Sequence, residues 1–257
     1  MSPRGRAARG LGGDQVEGRR AVHELLAARR RPVRDVWVVE GADPSSVLEG
    51  IVALAGSRRV PVRWMSRRQM EDEARTDSHQ GVLAHADPLP EGDLDELAQG
   101  TPGRPGLPFL VVLEGVTDPH NVGAVMRSAE CAGATGIVLA RHHAVHVTAT
   151  VAKAAAGAIE HLPIAVVPGI PGALASLARA GVWTVGLDAE ARASLFGLEL
   201  ADRPLALVLG AEDRGLSRLA RARCDLLVSI PRRGALGSLN VSAAAAVACY
   251  EVARRRS

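Results

Sequence analysis

With 257 residues, 47% of them hydrophobic and 23% charged, the chain has the composition of an ordinary globular protein with one large domain or two smaller ones. It contains no uncharged apolar run of about 18 residues and no apolar core of a secretory signal, so we expect a cytoplasmic protein that makes no membrane contact. The net charge of +3 rests on arginine, since Lys153 is the sole lysine, and the aromatic content of 2% argues against a single-strand nucleic-acid binder built on stacking.

The first third of the chain alternates short helices and strands. Residues 1–14 are basic and rich in glycine, which is typical of a flexible tail that contacts RNA phosphates or is simply solvated. The alternation over residues 15–87 predicts a small α/β/α domain. Its predicted elements are a helix from Glu17, a strand at 36–39, a helix opened by a capping box at 46–49, a strand at 60–65, a helix opened by a second capping box at 66–69, and a strand at 81–86.

A proline-rich segment separates this region from the rest of the chain. Residues 88–108 hold several prolines among glycines and acidic residues, with one helical turn near 94–97, and we interpret them as a linker. Strands and helices alternate over residues 109–257, which predicts a mainly parallel sheet covered on both faces. The predicted strands are 109–114, 136–140, 164–167, 182–187, 205–209 and 226–230, and the predicted helices include 149–159, 173–180 and 241–255.

One strand–loop–helix–strand unit, from Phe109 to Ala140, organises this second region. Its first strand leads into a polar loop at 117–121, and the helix that follows carries Arg127. Such a unit places polar groups at the carboxyl end of a parallel sheet, where ligands bind. Taken alone, Asn121 is more simply a turn or cap residue, and Arg127 a solvated helix charge.

The common nucleotide-binding and nucleophile motifs are absent from the sequence. No G-x-G-x-x-G follows the strand at Phe109, and the chain has neither a P-loop nor a G-x-S-x-G elbow. Three other polar segments follow three separate strands instead. They read N-x-G-x-x-x-R at 121–127, L-G-x-E-x-x-G at 209–215, and I-P followed by S-L-N-V-S at 230–242.

In these segments the chain resembles the SpoU/TrmH family of RNA ribose 2′-O-methyltransferases, within the SPOUT superfamily. The likeness covers 109–257. Residues 15–87, including the run His79-Gln80-Gly81-Val82, also look like the ribosomal-protein-like, RNA-binding domain found ahead of the catalytic domain in the RlmB-like branch. The resemblance implies a methyltransferase domain with a deep trefoil knot at its carboxyl end, an exception to the general absence of knots.

The resemblance also implies a cofactor, S-adenosyl-L-methionine, held in a pocket formed by the knotted loops. The matching positions are Gly210, Ile230 and Leu239, with Gly186 and Leu209 as expected neighbours. Glycines let the backbone approach a ligand, and apolar side chains cover an adenine without competing for its hydrogen bonds.

Five residues match the family's catalytic positions. Arg127 matches an arginine proposed as a base or as a phosphate anchor, and we favour the second role because a guanidinium stays protonated in proteins. Asn121 is expected to orient the ribose or the arginine. Glu212 is expected to pair with a nearby cationic or hydroxyl group, and Ser238 and Asn240 to complete a hydrogen-bonded floor.

Three further features have competing interpretations. Arg232-Arg233 beside the third motif either contacts RNA phosphate or faces solvent. The run 141–146 contains three histidines but lacks the spacing and the carboxylate or cysteine partner of a metal site, so we predict no metal. The three cysteines, Cys131, Cys224 and Cys249, are expected to be reduced and buried.

The predicted function is S-adenosylmethionine-dependent 2′-O-methylation of a ribose in ribosomal RNA, most simply a guanosine of 23S RNA. Methylation of transfer RNA or of an antibiotic-resistance site in ribosomal RNA is the alternative within this enzyme class. A non-catalytic RNA-binding or ribosome assembly factor is the alternative outside it. We also expect a homodimer that pairs through one small apolar face of the last helix, formed by Val241, Ala245, Ala248 and Val252. The alternative is that this face covers the sheet of its own chain.

Overall fold

In the computed structural model, residues 11–76, 79–100, 106–141, 149–235 and 237–257 are described. These residues pack into two units. The first consists of the described parts of 1–90 and 146–161, and the second of the described parts of 91–145 and 162–257. The chain therefore enters the second unit, returns to the first for one segment, and then completes the second.

The helices and strands are numbered in chain order. They are β1 (Gln15–Glu17), α1 (Arg19–Ala28), β2 (Val33–Val39), α2 (Ser46–Ser57), β3 (Val62–Met65), α3 (Arg67–Glu73), β4 (Val82–Ala86), α4 (Leu94–Gln99), β5 (Phe109–Leu113), α5 (Pro119–Cys131), β6 (Gly136–Ala140), α6 (Ala149–Ala154), β7 (Ile164–Val167), α7 (Ile170–Arg179), β8 (Trp183–Leu187), β9 (Ala193–Ser194), β10 (Leu205–Leu209), α8 (Arg218–Arg223), β11 (Leu226–Ser229) and α9 (Val241–Arg256). Short 3-10 turns lie at 158–160, 195–197 and 199–202.

The first unit is built on a four-stranded mixed sheet in the order β1-β4-β2-β3. Only β2 and β3 are parallel among these strands. Alternate side chains of a strand face opposite sides of its sheet. Val36 and Val38 accordingly join the core formed with α1 and α2, whereas Val39 packs with Leu83 and with Met70 of α3. The unit thus has helices on both faces of its sheet.

The segment 149–161 is held in the first unit by ionic contacts. Arg31 and Glu160 form an ion pair whose side chains are 1% and 2% exposed, and Arg31 also donates to two main-chain carbonyls. His161 hydrogen-bonds to Glu24 at 2.8 Å. Partial burial acts to raise the pKa of Glu24, but hydrogen bonds from His161 and His23 outweigh it and hold that pKa below its ordinary value.

The second unit is built on a seven-stranded sheet in the order β7-β6-β5-β10-β8-β11-β9. All its pairings are parallel among the described residues. Leu110, Val112 and Val208 face a core that includes α4, α7 and α8. The two remaining long helices, α5 and α9, pack against each other. The expectation of a mainly parallel α/β sheet is confirmed, and the six predicted strands are present with ends that differ by at most one residue.

Some local predictions are wrong for identifiable reasons. The first helix begins at Arg19 because Glu17 belongs to β1 and Gly18 adopts φ of 98°. Ser45, rather than Ser46, caps α2, although the capping box at Ser66 and Gln69 is confirmed. The helix predicted for 149–159 ends at Ala154, because φ is positive at the two residues that follow Ala155.

Two predictions about exposure are also wrong. All three cysteines are free, but Cys131 is exposed and only Cys249 is fully buried. Burial raises the pKa of the Cys249 thiol to about 12, which keeps it in its unreactive form. The face of α9 assigned to a dimer is buried within its own unit, where Ala245, Ala248 and Val252 have no exposed surface.

No helix in the described part of the chain is long and apolar enough to span a membrane.

Candidate functional site

The three polar segments meet at the carboxyl edge of the seven-stranded sheet. β6 and β7 lie to one side of β5, whereas β10, β8 and β11 lie to the other, so the strand order reverses next to β5. Open parallel sheets bind ligands at such a reversal, because the connections on either side diverge and leave a crevice. The start of α5, the loop after β10 and the segment before α9 all surround this crevice.

A polar network joins one residue from each segment. The Nδ2 group of Asn121 donates to Oε1 of Glu212 at 2.9 Å, and Nδ2 of Asn240 donates to the same oxygen at 2.6 Å. Nδ2 of Asn240 also lies 3.2 Å from Oδ1 of Asn121. The expected partner of Glu212 was a cationic or hydroxyl group, but its partners are two amides. No described residue bonds to Oε2 of Glu212, so the network keeps one open acceptor.

Helix starts fix the two asparagines of this network. Asn240 is the N-cap of α9, and its Oδ1 accepts from the main-chain N–H of Ser242 at 2.9 Å. Asp118 caps α5, which places Asn121 in the first helical turn rather than in a loop. An N-cap satisfies N–H groups that have no partner within the helix. Asn240 is therefore a helix cap, whereas Asn121 is not.

A pocket of about 360 Å³ opens beside the network. Four of the five residues predicted to bind the cofactor line it, namely Leu209, Gly210, Ile230 and Leu239. Ser238 and Glu212 also line it. The structure thus brings together most of the predicted site around one cavity, whose size is that of a small-molecule site.

Two ion pairs in the wall of this pocket were not predicted. Asp188 lies 2.6 Å from Arg221, and Glu190 lies 3.5 Å from Arg232. Arg232 also donates to the carbonyl of Ala189 at 3.1 Å, so it faces the pocket wall. The arginine partners of the two acidic residues lie on other elements of the chain, and no local spacing in the sequence connects them.

The two predicted glycines serve the protein's own packing. A Cβ at Gly210 would lie 2.1 Å from the main-chain carbon of Gly215 and 2.3 Å from the nitrogen of Leu216. Gly210 is therefore needed because its own loop crosses it, and not only because a ligand approaches. Gly186 is not among the described residues that line the pocket, and a Cβ there would lie 2.7 Å from the side chain of Leu227.

Arg127 lies outside the network. It follows Asn121 by six residues on α5, which corresponds to about 9 Å along the axis and a different side of the helix. Its side chain is exposed and makes no hydrogen bond or ion pair with any residue that the structure describes. Within one chain, Arg127 is therefore a free cation beside the site.

The histidines at 142, 143 and 146 lie outside the described residues. Among the residues that are described, no group of three or more histidine, cysteine or acidic side chains is placed to hold a metal ion. The described end of the run, Arg141, forms a surface ion pair with Glu91.

Two family models together match most of the chain. A model of the SpoU rRNA Methylase family matches residues 108–250. The chain belongs to this family. A second model, described as RNA 2′-O ribose methyltransferase substrate binding, matches residues 15–92.

Relatives with similar sequences match nearly the full length of this chain. A putative TrmH family tRNA/rRNA methyltransferase, YacO, from Bacillus subtilis is 37% identical over 95% of this chain and 96% of its own. The 23S rRNA (guanosine-2′-O-)-methyltransferase RlmB from Shewanella oneidensis is 39% identical over 95% of this chain and 98% of its own. The crystal structure of the SpoU methyltransferase AviRb from Streptomyces viridochromogenes, in complex with the cofactor AdoMet, aligns with a TM-score of 0.76 and 27% identity over 94% of this chain and 90% of that one.

Proposed function

We propose that this protein transfers a methyl group from S-adenosyl-L-methionine to the 2′-hydroxyl of a guanosine in 23S ribosomal RNA. The observation that carries the proposal is the Asn121–Glu212–Asn240 network beside a pocket of about 360 Å³, in a member of the SpoU family. The name of the Shewanella relative supports the choice of a 23S guanosine.

The pocket suits the proposed cofactor chemically. Leu209, Ile230 and Leu239 offer apolar surface for an adenine ring, and the Asp188–Arg221 and Glu190–Arg232 pairs offer both signs of charge for an amino-acid group. When bound, S-adenosylmethionine supplies a methyl group already activated by a positive sulfur. The protein's task is then to orient the ribose and strengthen its hydroxyl as a nucleophile.

We assign that task to the network. Two amide donors occupy Oε1 of Glu212, which fixes the carboxylate and leaves Oε2 to accept a hydrogen bond from a ribose hydroxyl. A positioned acceptor raises the nucleophilicity of a hydroxyl and aligns it for in-line attack. Arg127 contributes a free guanidinium that suits a substrate phosphate better than proton abstraction.

A trefoil knot and a homodimer complete the proposal. Support for the knot comes from family membership and from the close crossing of the loop over Gly210.

For the dimer we propose an interface formed by the exposed face of α9, where Tyr250 is 54% and Val247 36% exposed, together with α5 beside it. Arg127 lies on α5, and dimerisation would let it serve a site shared by two chains.

We further propose that residues 15–87 select the RNA in the cytoplasm and take no part in the chemistry. Support comes from the substrate-binding match at 15–92 and from a cleft of about 920 Å³ in the first unit, whose wall includes Arg20, Arg67 and Lys153. Clustered cations give RNA affinity that depends on salt, whereas the shape of folded RNA gives selectivity. The rival role for this region is dimerisation or stability alone.

The test is methyl transfer from tritiated cofactor to in vitro transcripts of 23S RNA, 16S RNA and transfer RNA. Alkaline hydrolysis then locates the product, because a 2′-O-methyl group blocks cleavage at that nucleotide. We expect label in 23S RNA on a guanosine ribose. Label confined to transfer RNA would favour the alternative suggested by the tRNA/rRNA name of the Bacillus relative. Absence of transfer to any RNA, with RNA binding retained, would favour the assembly factor.

A further inference from the structure

A second cleft lies at the carboxyl edge of the same sheet. Its volume is about 440 Å³, and it is bounded by the ends of β5 and β6, by the segment 168–171 that begins α7, and by Arg214, Gly215 and Ser217. Arg214 and Gly215 also line the proposed cofactor pocket. The turn at 211–215 is therefore a wall shared by two cavities.

The guanidinium of Arg214 is the unused cation of this wall. It is exposed and makes no hydrogen bond or ion pair with any described residue, whereas Arg221 and Arg232 are both paired with carboxylates. A Cβ at Gly115 would lie 3.3 Å from Nη2 of Arg214. Because Gly115 has no side chain and adopts φ of 70°, the guanidinium has room to lie against the backbone there.

The turn that carries Arg214 is held at both ends. Ala211 and Gly215 exchange two main-chain hydrogen bonds, of 3.1 and 2.8 Å. The carboxylate of Glu114 accepts from the main-chain N–H and the hydroxyl of Ser217, both at 2.8 Å, and Ser217 caps α8. Glu114 is the one acidic residue among the described residues that line the second cleft, and these bonds occupy both of its oxygens. Arg214 thus extends from an ordered turn with no acidic side chain of the cleft bound to it.

We propose that this cleft binds a phosphodiester of the substrate RNA, adjacent to the nucleotide that is methylated, through Arg214. The inference rests on the proposed function and adds a site for the RNA chain next to its target ribose. A nucleotide presented to the cofactor pocket carries a phosphodiester on each side. A free guanidinium in the shared wall can donate two hydrogen bonds to such a group.

The experiment compares Arg214→Ala with Arg218→Ala, which removes another exposed arginine outside the cleft, on the first turn of α8. Filter binding of a 23S RNA transcript is measured over a range of salt concentrations without cofactor, and cofactor binding is measured by calorimetry. We expect Arg214→Ala to bind RNA about tenfold more weakly at low salt, and to lower the slope of log affinity against log salt by about one. We expect Arg218→Ala to match the wild type, and Arg214→Lys to restore the slope.

An equal loss in both alanine variants would overturn the proposal, since it would mark a general charge effect. Loss of cofactor affinity in Arg214→Ala with unchanged RNA binding would also overturn it, because the side chain would then belong to the first pocket alone. RNA binding without cofactor requires no catalysis. A wild type that binds 23S RNA but transfers no methyl group would therefore defeat the proposed function while leaving the Arg214 test intact.

Discussion

Two polar clusters in this molecule are built in opposite ways. In the first unit, Arg31 and Glu160 are buried, both oxygens of the carboxylate are occupied, and Nη1 of the guanidinium donates to two main-chain carbonyls. At the crevice of the second unit, Glu212 is exposed and its two amide partners occupy only one oxygen. A closed cluster has nothing left to offer a ligand, so its role is structural. An open cluster retains an acceptor, which a substrate can use.

The comparison predicts its largest effect on stability at the closed cluster. Arg31→Ala leaves Glu160 buried without its partner, and removing one member of a buried pair costs about 3–5 kcal/mol. We expect a lower midpoint of urea unfolding, followed by circular dichroism, and loss of the ordered segment at 149–161. The control Arg68→Ala removes an exposed arginine from α3 and is expected to leave the midpoint unchanged. A wild-type midpoint in Arg31→Ala would mean that the cluster is not structural.

At the open cluster, we expect a substitution to reduce activity strongly and to change stability little. Glu212→Gln keeps an oxygen for the two asparagines but replaces the open acceptor with an amide donor, so we expect methyl transfer to fall about 100-fold or more. The free energy of unfolding should change by less than about 1 kcal/mol, since the site is exposed. Glu199→Ala, a change at another exposed glutamate, is the control. Full activity in Glu212→Gln would remove Glu212 from the proposed mechanism.

Cutting the chain near Gly100 tests how far the closed cluster ties residues 149–161 to the first unit. A fragment covering 101–257 retains this segment but lacks Arg31, Glu24 and the surface that covers Val151 and Ile159, both of which have no exposed area in the full chain. We expect the fragment to bind a hydrophobic dye and to aggregate, as seen by fluorescence and gel filtration. A stable fragment that binds the cofactor and methylates the same nucleotide as efficiently as the full chain would show that residues 15–87 neither select RNA nor support this segment.

The sequence predicts the second sheet well because its strands are short apolar runs bounded by turns. The strands that it misses, β1 and β9, have only three and two residues, which is too short for any period to be recognised. The sequence also does not predict that residues 149–161 belong to the first unit. This placement depends on a pair, Arg31 and Glu160, separated by 129 positions, and the local pattern indicates only a helix.

The candidate site is also predicted only in part. Its motif residues could be placed together because each follows a parallel strand, and the carboxyl ends of parallel strands share one edge. The sequence does not predict which oxygen remains open on Glu212, or that Arg221 and Arg232 neutralise Asp188 and Glu190. Those facts depend on side-chain directions across elements that are distant in sequence.

The smallest predicted effect concerns a closed cluster on α9, in which Glu251 is buried and Arg254 is exposed. Hydrogen bonds from Arg254, opposed by burial and reinforced by Arg255, lower the pKa of Glu251 to about 2 from 4.5. A carboxyl whose pKa is lower in the folded state stabilises the protein above its unfolded pKa, and this contribution is lost as pH falls through the folded value. Wild type should therefore be more stable than Glu251→Gln at neutral pH, and the difference should shrink between pH 4.5 and pH 2. Because Arg254 is exposed and screened by solvent, the difference should be smaller than that for Arg31→Ala. Urea unfolding of both proteins across this pH range measures it, and a gap that widens toward low pH would show that Glu251 is not held in its charged form by these arginines.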